Sequence, residues 1–185
     1  MKLNVQVRYT GAVTDDADVP DGGWLTPEQQ RDWASLISVL MTLPGKLDAQ
    51  LKQAAGINLF EYSVLVALSE MPGHTRVMSD LAGQTRASLS RLSHAVTRLE
   101  SAGWVERRSC GGAGRRTEAL LTDAGWQELQ RIAPGHVSEV RRLVVDAMSA
   151  EQLQCLGSAA RLIVAATDPA AAEALTSAID RSQAR

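Results

Sequence analysis

Residues 76–121 constrain the chain more than any other stretch, because the hydrophobic period changes twice within them. Residues 76–84 read as a short helix, and Thr85-Arg86-Ala87 reads as a turn. Leu89, Leu92, Val96 and Leu99 then recur at spacings of three and four, the stripe of an amphipathic helix that Gly103 closes after about Ala102. The opposite face carries Ala87, Ser90, His94, Thr97 and Ser101, with Arg91 and Arg98 beside it. Two short extended segments follow, 104–109 and 117–121, joined by the loop Cys110-Gly111-Gly112-Ala113-Gly114-Arg115.

A short helix, a tight turn, a second helix and a hairpin form a winged helix-turn-helix. The expected module covers residues 57–122, opened by the capping box Asn58-Leu59-Phe60-Glu61 and a helix that Pro72-Gly73 ends. Helices flank it. Thr26-Pro27-Glu28-Gln29 starts one in which Trp33, Leu36, Ile37, Leu40, Leu43, Leu47 and Leu51 form a stripe; Pro44 is expected to kink it, and Gly56 to stop it. Thr122-Asp123 caps a helix expected to run to about Met148, Ser149-Ala150-Glu151-Gln152 caps another, and Asp168-Pro169 starts a last, Ala-rich one. These stripes exceed what so small a module can cover, and a second copy of the chain would cover them. Residues 26–56 and 123–185 are therefore assigned to dimerisation. Residues 1–25 hold a run of Asp, Pro and Gly and read as a flexible N-terminal arm. The expected fold class is mainly α with a small β wing.

Charge places the function. The net charge is −2, yet residues 76–116 hold eight arginines against three acids, an excess of five positive charges within an acidic chain. On charge alone that fits either the footprint of a phosphate-binding surface or a solvated charged face. A helix face of small residues lets the backbone approach base edges, while Ser, His and Arg supply donors and acceptors. The residues expected to contact double-stranded DNA are Arg86 and Ser88 at the start of the second helix, then Ser90, Arg91, His94, Thr97 and Arg98 along it. Arg91 is expected to read a guanine edge.

Other classes find little support. No apolar run reaches the roughly 18 residues of a membrane span, and the N-terminal segment has no signal-like apolar core. Cys110 and Cys155 are too few for a disulfide scaffold, so a cytoplasmic protein with reduced thiols is expected. The histidines at 74, 94 and 136 are scattered, and no metal or cofactor is expected. The run Gly111-Gly112-Ala113-Gly114 lacks the Lys-Ser/Thr of a phosphate-binding loop, and no acid–base cluster suggests an enzyme. Cys155 is expected in the core.

Asp80-Leu81-Ala82, Leu89-Ser90-Arg91-Leu92, Arg98-Leu99-Glu100, Gly103-Trp104-Val105-Glu106-Arg107, Arg115, and Leu121-Thr122 ahead of Ala124-Gly125 occur in an order and spacing that resembles the MarR (multiple antibiotic resistance regulator) family. The resemblance covers roughly residues 59–129. It implies a homodimer joined by its end helices, a recognition helix in each major groove of a palindromic operator, and a wing arginine in each minor groove. Arg115, with Arg116 beside it, matches that wing position, although Ala113 stands where the family usually has an acid. It also implies a repressor released by a small aromatic or anionic effector, bound where the first, second and fifth helices meet. Trp33, Ile37, Tyr62, Val66 and His136 would line that pocket. Two other readings stay open at this point: a winged-helix protein-interaction module, and a redox-sensing regulator using Cys110 among its neighbouring arginines.

Overall fold

The computed structural model describes residues 24–110 and 116–183. The N-terminal arm before Trp24, Ala113, Arg115 and the Cys110 side chain lie outside the described residues, and so do the expectations placed on them. The chain forms two units, residues 1–40 and 41–185.

Helix α1 spans Pro27–Ala55. Its start is the expected capping box: Thr26 N donates to Gln29 Oε1 at 2.9 Å, and Gln29 N donates to Thr26 Oγ1 at 3.2 Å. The helix continues through Pro44, and Gly56, at φ 72°, ends it. Within residues 41–185 the winged helix is built around α2, Leu59–Ser69. Its sequence is apolar nearly all round, with Val64, Leu65, Ala67 and Leu68 buried, which suits a helix enclosed on several sides. It packs against α3 (Met78–Gln84), α4 (Leu89–Ser101), α5 (Asp123–Val140) and the sheet.

That sheet has three antiparallel strands in the order β1-β3-β2: β1 is Thr75–Val77, β2 is Val105–Cys110 and β3 is Arg116–Leu121. The sequence suggested only the last two, and placed Arg76 at the start of a helix. Three residues are too few to show a period of two, and β1 exists only by pairing with β3, with Arg76 opposite Ala119. In the hairpin Val105 pairs with Leu121 and Arg107 with Ala119, so Val105, Ala119 and Leu121 face the core.

Gly125 fixes the exit from the wing. A Cβ there would collide with the Trp104 carbonyl oxygen and meet Leu121 Cδ1 at 2.7 Å, so the first turn of α5 can lie against the wing only with glycine. The helix expected to reach Met148 is α-helical to Val140 and continues as a π-helical segment, Arg141–Val145. Helix α6 (Ala150–Thr167) has the expected Ser149/Gln152 capping box, and α7 is Pro169–Gln183. No residue of α6 is buried. Cys155 is accordingly exposed, against the expectation of a core thiol: its apolar neighbours on α6 face outward too, Leu162 being 73% exposed.

Candidate nucleic-acid interface

Helix α4 begins at Ser88, whose hydroxyl oxygen accepts from Arg91 N at 3.2 Å. It buries Leu92, Ala95, Val96 and Leu99. Leu89, expected in that stripe, is 56% exposed. At 100° per residue the buried arc centres between Leu92 and Leu99, and Leu89 lies at its edge in the first turn, beyond the neighbouring helices. Opposite that arc stand Ser90, His94, Thr97 and Ser101, all exposed. Arg91 and Arg98 lie roughly a quarter-turn to one side.

The turn before α4 ends α3 with two paired hydrogen bonds, Ala87 N to Ala82 O at 3.0 Å and Arg86 N to Gly83 O at 3.2 Å. This closure needs a left-handed residue, usually glycine, and Arg86 takes it at φ 52°. Its guanidinium reaches α7, where Nη2 donates to Ala171 O at 3.1 Å. The end of α4 closes identically through Gly103, at φ 76°.

Both sides of α4 are tied to neighbouring elements. Toward α2, Arg98 Nε lies 2.7 Å from Glu61 Oε1, a carboxylate whose side chain is 2% exposed. Glu61 Oε2 also accepts from Asn58 N at 2.9 Å. The capping box seen in the sequence therefore positions the carboxylate that holds the recognition helix. Arg91 lies over the Phe60 ring, 4.2 Å from its centroid. Toward the wing, Arg107 of β2 pairs with Glu100 and donates through Nη2 to Ser93 O at 2.6 Å and Thr97 Oγ1 at 3.0 Å. Glu61 and Arg107 were missed as site residues by sequence reasoning. The signal for Glu61 was an acid at N3 of a capping box, three residues before a wholly apolar run; for Arg107 it was the motif position itself.

These pairings redistribute the basic stretch. Arg98, Arg107 and Arg108 are matched by Glu61, Glu100 and Glu106, and Glu61 lies outside the segment in which the charge was counted. The guanidinium beside Glu106 holds that exposed carboxyl below its usual range. Arg91 and Arg116, both exposed, have no ion pair among the described residues.

Of the five residues expected around an effector pocket, two touch. The Tyr62 and His136 rings are 4.5 Å apart and tilted by 48°, and His136 Nδ1 is 3.3 Å from Gln50 Oε1. Burial pushes the Tyr62 hydroxyl up and the His136 imidazole down from their ordinary values. Val66 packs against the core; Trp33 and Ile37 belong to the other unit and are exposed and half-buried. A groove of about 710 Å³ lies elsewhere, between α1, the start of α2 and α4. Among the described residues no group of three or more His, Cys, Asp or Glu could hold a metal ion, and no helix is long and apolar enough to cross a membrane.

A helix held on two sides with a small polar face outward, followed by a hairpin that completes a three-stranded sheet with β1, defines a winged helix-turn-helix protein. The family model of MarR matches residues 55–116. Among solved structures, the chain is similar to Sco3205, a MarR family transcriptional regulator from Streptomyces coelicolor, in complex with DNA: 42% identity, 79% of this chain and 92% of that chain, TM-score 0.76. It is similar also to AbsC, a MarR family transcriptional regulator from the same organism, at 39% identity over 76% of this chain and 95% of that chain, TM-score 0.71. BldR from Sulfolobus solfataricus shares the fold, at 21% identity and TM-score 0.61 over 74% and 94%. No curated protein matches. The chain belongs to the MarR family of transcriptional regulators.

Proposed function

We propose that the protein is a homodimeric repressor that binds a palindromic double-stranded DNA operator and releases it in response to a small aromatic or anionic effector. The observation that carries the DNA-binding part is the outward face of α4. Ser90 and His94 are exposed there with no side-chain partner among the described residues, on a helix whose orientation is set from both sides. A face kept for packing would be apolar; this one offers donors and acceptors of base-edge size. The similarity to Sco3205, solved with DNA, supports the same reading. Arg116, exposed at the start of β3, and Arg115 beside it are the wing's contacts in this proposal.

Dimerisation is supported by apolar side chains that one chain leaves in water, Met41 and Leu162 at 73% exposure each, with Val137 and Ile163. The effector reading is supported by the Tyr62–His136 pair, an aromatic and an imidazole brought together between α2 and α5. A mobility-shift assay on the DNA upstream of the protein's own gene, with sedimentation of the free protein, tests the proposal. The expected result is a dimer that shifts one duplex and releases it when small aromatic acids are added. A monomer, or a dimer that shifts no duplex, overturns it.

A further inference from the structure

The groove beside α4 runs along its α2-facing side. Helix α1 contributes Asp48 and Lys52, the first turn of α2 contributes Phe60 and Glu61, and α4 contributes Arg91 and His94. Its acids already have partners: Asp48 Oδ1 accepts from Leu59 N at 2.6 Å, and Glu61 holds Arg98 and Asn58 N. Two of its cations do not. Lys52 is exposed with no hydrogen bond or ion pair among the described residues, and the guanidinium N–H groups of Arg91 have no acceptor there, the guanidinium lying over the Phe60 ring.

We propose that this groove receives a phosphodiester strand of the DNA bordering the major groove, with Lys52 and Arg91 as its contacts. The inference rests on the DNA-binding reading above and deepens it. A helix about 10–12 Å across nearly fills a major groove about 12 Å wide, so its two sides face the two backbones rather than the bases. On the wing side the donors of Arg107 are already satisfied by Glu100, Ser93 and Thr97. On the α2 side a channel lined by unmatched cations remains. Arg91 therefore positions the helix on the duplex and does not read guanine as its sequence position suggested. Lys52 extends the interface onto α1, outside residues 57–122.

The test uses the full-length protein and fluorescence anisotropy. The probes are a duplex selected from a random pool by the intact protein and a scrambled duplex, each across a salt series. With two protomers, Lys52→Gln should flatten the plot of log affinity against log salt by about two units, roughly 0.9 per contact, and Arg91→Gln should do the same. Both should weaken selected and scrambled duplexes by equal factors, and Lys52→Arg should restore the slope. An Arg91→Gln protein that loses discrimination while keeping its slope, or a Lys52→Gln protein with unchanged slope, overturns the proposal. So does a groove that serves free anions: inorganic phosphate at matched ionic strength would then raise the melting temperature of the wild type but not of Lys52→Gln, with DNA binding unaltered in both. A wild type that binds neither duplex overturns the DNA-binding reading itself.

Discussion

The two sides of the recognition helix solve the same problem differently. On the wing side a single cation, Arg107, meets a carboxylate, a hydroxyl and a backbone carbonyl that all belong to α4. On the α2 side the direction is reversed: α4 supplies the cation, Arg98, and α2 supplies a carboxylate almost without solvent. The wing side is closed by these contacts. The α2 side stays open as a groove in which Lys52 and Arg91 have no anionic partner among the described residues. Attachment on both sides with unmatched charge on one of them lets the protein orient a helix before binding and still keep donors for a ligand.

The largest expected loss comes from removing what both sides share. Leu92 is fully buried beneath α4, and Leu92→Ala should destabilise the protein by about 2–5 kcal/mol in chemical denaturation. A loss near zero would mean that the two polar sides hold α4 without its core. Next, the α2 side should respond asymmetrically. Arg98→Ala leaves a buried carboxylate with only the Asn58 N–H, and should cost about 1–3 kcal/mol. Glu61→Gln leaves an arginine that is 65% exposed and keeps the side-chain volume, so it should cost less. Equal losses in the two variants would show that burial of Glu61 is not what ties this side.

Arg107→Ala removes the wing-side contacts but leaves groups that water can reach, Glu100 being 29% exposed at its side chain. About 1 kcal/mol of stability should be lost. DNA affinity should fall further than stability accounts for, because the angle between wing and helix is no longer set. Affinity that is unchanged at saturating folded protein would make Arg107 a stability residue only. The smallest effect lies away from both sides. Burial lowers the affinity of His136 for its proton in the folded state, so the unfolded chain takes up that proton first as the pH falls. This contribution to stability is complete above the ordinary histidine value of about 6.5 and is lost as the pH drops below it. His136→Gln should make stability less sensitive over that range, measured by thermal melts.

Much of this was legible in the sequence where it depended on neighbours in the chain. The capping boxes at Thr26, Asn58 and Ser149, the closures at Gly56 and Gly103, and the Leu92–Val96–Leu99 stripe follow from local chemistry and spacing, and the structure has them all. What was illegible depended on partners far along the chain. Strand β1 needs β3, Arg98 needs Glu61, and Arg86 turns to Ala171. A count of charges in a window cannot see that an arginine is matched by an acid outside it. Leu89 was misplaced for a related reason: a helical wheel gives direction, but not how far the neighbouring helices extend along the axis.

The π-helical segment Arg141–Val145 has a consequence for how this lineage could vary in length. Such a turn holds one residue more than an α-helix would at the same place, as Asp146 N reaching back to Arg141 O at 2.8 Å attests. A turn at 146–149 then leads into α6, so where the π-helical segment ends decides where α6 departs from α5. Deleting one residue within the segment would restore regular α-helical hydrogen bonding and move the point from which that turn, and with it α6, leaves α5. Single-residue insertion and deletion at this point would redirect α6 while leaving every residue of the winged helix in place.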